Sequence, residues 1–187
     1  MTPPLRFGYI DESIHDRQGL YLLAVVRAEP SLDDEVRHLL TDCVPTGRPP
    51  HWCKEGEAVR DALVRAVASL DVEASVYACR FSGPQRQEAA RARALGWAVL
   101  SLAPCVGHLV IDRREDRQNQ IDRKVLSALV GRPRQFTFVH ASARWTPLLW
   151  VADIVVGAAA AQLARGEERH LKALDGLVEL SCEATAS

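Results

Sequence analysis

The sequence predicts an α/β fold, a mixed β-sheet flanked by α-helices, in one domain spanning residues 1–187. Three observations predict it. Two apolar stretches, one ending in FGYI and the other LYLLAVVRA (20–28), are separated by a short polar turn. That spacing suits an antiparallel hairpin, since a parallel pair needs a longer crossover. Farther on, helical periodicity alternates with short apolar runs, the pattern of strands joined through helices. The longest apolar run, Leu148 to Ala161, is 14 residues long and is broken by Asp153, which suits a buried helix and not a membrane span.

The elements follow in order. Residues 5–11 form a first strand, with Leu5, Phe7, Tyr9 and Ile10 apolar, and 20–28 the second. Pro30-Ser31 opens a helix to about Asp42, with Ser31 as N-cap and Asp33, Asp34 and Glu35 at the positive end of its dipole. PTGRPP (45–50) is a turn-rich linker. Beyond HWCKE, the residues Ala58, Ala62, Leu63, Ala66, Val67 and Leu70 repeat at helical spacing. DVEASVYACRF (71–81) alternates as a strand, a helix runs from Pro84 to 101, and Pro104 closes it. HLVIDRR (108–114) is a strand, and residues 117–131 are an amphipathic helix with Gly131 past its end. Residues 134–142 form a last strand, and Pro147 starts a long helix to about Gly166. The tail from about 172 is expected to be short and at most weakly helical.

Composition narrows the function classes. With 48% hydrophobic and 25% charged residues, the chain can build a sizeable core. The opening MTPPLRFGYID has no long apolar segment, so no secretory leader is expected. Cys43, Cys53, Cys79, Cys105 and Cys182 are scattered and odd in number, which predicts reduced thiols in the cytoplasm. His51 and Cys53 lack the two further ligands that a structural zinc ion needs. Between Arg80 and Arg134 there are 11 Lys and Arg against 5 Asp and Glu. That basic middle section suits a phosphate-rich partner or a solvated helix face. No membrane partner is expected, and a homo-oligomer is compatible with the chain.

Three aspartates carry the chemistry. Asp11 ends the first strand, Asp112 ends another, and Asp153 interrupts the apolar helix. The helical neighbours of Asp153 (Leu149, Trp150, Val156, Gly157) offer no partner for a carboxylate, and an unpaired buried carboxylate is costly. Read singly, each has an ordinary explanation: a turn for Asp11, an ion pair with Arg113 or Arg114 for Asp112, and a distant cation for Asp153. Mg²⁺ or Mn²⁺ accounts for all three together, because hard cations take carboxylate oxygens. Two such ions about 4 Å apart serve in-line phosphoryl displacement. In HWCKEGE, Glu55 is a candidate fourth carboxylate, Lys54 a candidate phosphate contact, and Trp52 either a base-stacking or a core residue. His51, His140, Ser142 and Arg113 are placed near the substrate.

FGYIDES, HWCKE, LVIDRRE and PLLWVADIVVGA, in this order and spacing, resemble the bacterial and phage family catalogued as domain of unknown function 3800. The resemblance covers about residues 6 to 165. It implies a ribonuclease H-like fold, a metal-binding carboxylate cluster and cleavage or transfer of phosphodiesters. By position it assigns Asp11, Asp112 and Asp153, with Glu55 or Glu12 as the fourth carboxylate. The chain departs from the family pattern at Ile14, where Gly is usual, and at Trp150, where Gln is usual.

The leading expectation is therefore a metal-dependent nuclease acting on RNA or DNA, with Lys54 and Arg113 orienting the phosphate. The alternative is a non-catalytic nucleic-acid or protein-binding module on the same fold. A phosphohydrolase of small esters ranks last, since neither a Walker loop nor a DxDxT motif is present.

Overall fold

A computed structural model describes residues 6–83, 86–102, 105–131 and 135–183. Leu5, Pro84, Pro104 and Arg134, assigned above to element ends, lie outside the described residues. The chain begins with the expected hairpin of β1 (Arg6–His15) and β2 (Leu20–Ala28). Gly19 closes its turn at φ +57°, a left-handed conformation that side chains other than glycine disfavour. Then come α1 (Asp33–Asp42), α2 (Glu57–Ala68), β3 (Glu73–Arg80), α3 (Gln87–Leu102), β4 (Val106–Asp112) and α4 (Asp116–Leu129). β5 (Thr137–Ala141), α5 (Pro147–Arg165), α6 (Arg169–Lys172) and β6 (Val178–Cys182) complete the chain.

Among the described residues, six strands form one mixed sheet in the order β5-β4-β1-β2-β3-β6. β1 is parallel to β4 and antiparallel to β2, so it sits where strand direction changes. Alternation along the strands splits the core. Tyr9, Leu22, Ala24, Val26, Val76 and Val110 face α1, α2 and α5. Ile10, Tyr21, Leu23, Val25, Leu109 and Ile111 face α3 and α4. Full burial of each large apolar side chain contributes roughly 1.5–3 kcal/mol. α5 is buried at nearly every position from Pro147 to Ala161, with Asp153 the break. It is long and apolar enough to cross a membrane, but most of it is packed inside the protein.

Three sequence expectations are corrected. β1 does not stop at Asp11 but continues to His15, because β2 pairs with it as far as His15↔Leu20. Ile14 is therefore in extended backbone opposite Tyr21, where no glycine is required. Ser31 does not cap α1; it lies in a 3-10 turn, Pro30–Leu32, and its hydroxyl donates to Glu29. The tail holds a strand, β6, which pairs in parallel with β3 at the sheet edge.

Candidate active site

Register brings the first two aspartates together. The parallel pairing of β1 and β4 runs to Ile10↔Ile111, and Asp11 and Asp112 are the next residues on each strand. Neighbouring strands lie about 4.8 Å apart. By alternation from Tyr9 and Val110, both side chains face α5. α5 supplies Asp153, and all three aspartates line one cavity of about 460 Å³ with Arg48, His51, Lys54 and Arg144.

Each aspartate is anchored by a backbone amide. Glu12 N–H donates to Asp11 Oδ1 at 2.7 Å, and Ala143 N–H donates to Asp112 Oδ1 at 3.1 Å. Trp52 N–H donates to Asp153 Oδ2 at 2.8 Å, joined by His51 Nδ1 at 3.0 Å. These bonds engage Asp11 Oδ1, Asp112 Oδ1 and Asp153 Oδ2. Desolvation, with the charges of Asp153 and Asp112, pushes the Asp11 carboxyl well above its usual range. Asp112 is raised by burial and by Asp153, against the lowering effect of its backbone hydrogen bonds. The hydrogen bond to Asp153 raises the His51 imidazole.

The HWCKE segment reaches Asp153 through packing. Trp52–Lys54 is a single 3-10 turn, and the buried Trp52 ring lies against Gly157 on α5, one helical turn after Asp153. A Cβ at Gly157 would come within 2.6 Å of Trp52 Cδ2 and closer still to Cγ and Cδ1. The indole is held further by the Arg60 guanidinium, 5.0 Å from its centroid, and by the edge-on His170 ring. Trp52 is thus a core residue. Cys53 Sγ lies 3.5 Å from His51 Nε2 on the exposed side of the turn.

Neither candidate fourth carboxylate faces the cavity. Glu55 is 7% exposed, accepts from His51 N–H at 3.1 Å and pairs with Arg48 at 2.8 Å, so it closes the turn that presents His51. Glu12 points to the opposite sheet face, because adjacent strand residues alternate. There it accepts from the Tyr21 hydroxyl at 2.7 Å and pairs with Arg91.

That opposite face holds a buried polar network absent from the sequence expectations. Arg91, 1% exposed, donates from Nε and Nη2 to the two oxygens of Asp122, both at 2.7 Å, and from Nη1 to Tyr21 Oη at 2.8 Å. Arg114 Nη2 donates to Asp122 at 3.1 Å, and Nη1 donates to Glu88 at 2.9 Å. His140, expected near the substrate, is buried here and donates to Asp122 at 3.1 Å. Burial raises the Asp122 carboxyl, but the Arg91 and His140 hydrogen bonds and the arginine charges outweigh it and hold it far below the usual range. Part of the basic middle section is consumed internally in this way.

Of the expected substrate contacts, His51 and Lys54 line the cavity. Arg113 is exposed and does not line it, and Ser142 accepts from Arg144 N–H within its own turn. Sequence reasoning missed Arg48 and Arg144, although an arginine beside an exposed aromatic, as in Ala143-Arg144-Trp145, is a usable signal for nucleic-acid contact.

Among the described residues, no group of three or more His, Cys, Asp and Glu side chains is drawn tightly enough together to ligate one metal ion. The donor set nevertheless fits a hard cation. Three carboxylates share one cavity, two of them raised by burial and by neighbouring carboxylate charge, and Mg²⁺ binds through one or two carboxylates while keeping several waters.

No family model matches the chain, and no curated protein matches it. Solved structures are similar to it in fold. One is a chain of the PCNA:RNase HII complex from Archaeoglobus fulgidus, with TM-score 0.55 and 15% identity, covering 91% of this chain and 76% of that one. The fold is ribonuclease H-like. A mutant of Bst-RNase HIII is also similar, with TM-score 0.51 and 13% identity, covering 87% of this chain and 56% of that one. At these identities the ribonuclease H-like likeness concerns the fold, and the chemistry rests on the cavity itself.

Proposed function

We propose that the chain is a metal-dependent nuclease that cleaves phosphodiester bonds of RNA or DNA. The observation that carries this reading is the convergence of Asp11, Asp112 and Asp153 on one cavity, where burial and the charges of the other two raise the Asp11 carboxyl. These three residues would hold Mg²⁺ or Mn²⁺. When bound, such ions supply Lewis-acid stabilisation of phosphoryl charge and lower the pKa of water. Lys54 and Arg144 line the same cavity and provide the positive charge that binds and orients a phosphodiester, while Arg48, paired with Glu55, borders it. Asp153 fixes the His51 ring through Nδ1, which directs Nε2 away from Asp153. The ordered motifs support membership of the domain of unknown function 3800 family. The five unpaired thiols support a cytoplasmic location.

The test combines binding and turnover. Asp112→Asn should abolish Mg²⁺- or Mn²⁺-dependent cleavage while leaving far-ultraviolet circular dichroism unchanged. Mn²⁺ should raise the melting temperature of the wild type and not of the variant. Undiminished cleavage by purified Asp112→Asn sinks the reading. Salt-dependent oligonucleotide binding with no turnover in either metal favours the binding-module alternative.

A further inference from the structure

Of the chain's four tryptophans, Trp52 and Trp150 are buried and Trp97 is half-buried, but Trp145 is 68% exposed. An indole left in water has no packing role that explains it. Its place is specific. Trp145 follows β5 in a tight turn in which its N–H donates to Ser142 O at 3.0 Å. The same turn positions Ala143 N–H on Asp112. Arg144, between them, lines the cavity, and its guanidinium carbon lies 4.8 Å from the Trp145 ring centroid. The turn that anchors one of the three aspartates thus also presents a free aromatic face with a cation against it.

Charge selects the occupant. Arg144 lies against Trp145 and lines the aspartate cavity, whose other cations are Lys54 and Arg48. Arg48 is neutralised by Glu55, but among the described residues neither Arg144 nor Lys54 forms an ion pair. A flat π-face beside such cations matches alternating bases and phosphates. A duplex base already has both faces stacked, so only an unpaired base can lie on the indole.

Resting on the nuclease reading of the cavity, we infer that the substrate is single-stranded at this site, with one base stacked on Trp145 and the adjoining phosphate held by Arg144 and Lys54. Trp145 is a specificity-determining residue for strand state, and not a source of sequence preference, because every base offers a π-face.

The experiment is a fluorescence titration in EDTA, with no metal and no turnover, using dT20, rU20, a covalently closed circular duplex, which has no terminal base pair, and polyglutamate. Trp145 is the exposed indole, so quenching in the wild type reports on it, and the anisotropy of fluorescein-labelled strands gives the affinity of every variant, Trp145→Ala included. The single strands should quench and the duplex should not. Trp145→Ala, at an exposed position where the fold survives, should bind the single strands about 5- to 150-fold more weakly, and Trp145→Phe should retain part of the affinity. If dT20 binds and rU20 does not, or the reverse, the stacking stands and the site also reads the 2′-hydroxyl or the 5-methyl group. Unchanged affinity in Trp145→Ala, equal Trp145-dependent binding of duplex, or equal quenching by polyglutamate overturns the inference, the last outcome pointing to an acidic protein partner. A protein that binds single strands through Trp145 but cleaves none refutes the nuclease reading and leaves the stacking. A protein that cleaves while Trp145→Ala keeps full affinity does the reverse.

Discussion

Gly157→Ala is the most informative small change in this fold. One methyl group would overlap the Trp52 indole, within 2.6 Å of Cδ2 and nearer to Cγ and Cδ1. The ring cannot simply slide aside. Its backbone amide is bonded to Asp153 at 2.8 Å, Arg60 lies over its face, and His170 abuts it edge-on. Overpacking of this kind costs roughly 1–3 kcal/mol. For a chain of this size each kcal/mol is about 2–4 °C, so a cost near 2 kcal/mol lowers the melting temperature by about 4–8 °C. The site should suffer with the core, because displacing Trp52 pulls its N–H and His51 off Asp153. Mn²⁺-induced stabilisation should therefore shrink in parallel. The assay is thermal unfolding of wild type, Gly157→Ala, Trp52→Ala and the double variant. In the Trp52→Ala background the glycine substitution should cost much less, since the obstructing ring is gone. A Gly157→Ala melting temperature within about 1 °C of wild type, with full Mn²⁺ response, refutes the proposed packing link between core and site.

Other consequences are open to the same instruments. Asp11 has a raised carboxyl pKa, so the folded state holds its proton more tightly than the unfolded chain does. Its ionisation removes stability as pH climbs above the ordinary value of 3.8 toward the raised one. Asp11→Asn should accordingly melt higher than wild type at pH 7 in EDTA, and an equal or lower melting temperature would count against the repulsion. Asp122 shows the opposite sign: its folded pKa is depressed, so its contribution is complete above the ordinary value of 3.8 and fades as pH falls below it. Asp122→Asn leaves Arg91 and Arg114 without their shared carboxylate and should cost about 3–5 kcal/mol at pH 7. The gap from wild type should narrow below about pH 4 in denaturant titrations. A constant gap would deny that ionised Asp122 holds the network.

The fold class and the three aspartates were legible because their signals are local. A strand that turns abruptly acidic, or a carboxylate inside PLLWVADIVVGAAAA, departs from its own neighbours. What escaped is set by contacts distant in sequence. Asp153 is held by His51 and Trp52, 102 and 101 residues away. Arg91 meets Asp122 across 31 residues, and within QEAARARALGW it is indistinguishable from a solvated arginine. Glu12 and Glu55 were read as metal candidates because sequence places them beside the right residues; strand alternation and the Arg48 pairing turn them away. β6, VELSC, alternates over only five residues, too short a run to stand out in the sequence, and its pairing with β3 makes it a strand. In sequence the apolar run of β1 ends at Asp11; in the fold the pairing with β4 ends at Ile10, whereas β2 carries β1 on to His15.

The central claim is that Asp11, Asp112 and Asp153 together form a hard-cation site. Anomalous diffraction from crystals soaked in Mn²⁺ tests it directly. The account predicts a manganese peak within ligating distance of at least two of these carboxylates, lost in Asp112→Asn. A map at saturating Mn²⁺ with no peak in the cavity, or one centred on Glu12 or Glu55, would contradict it.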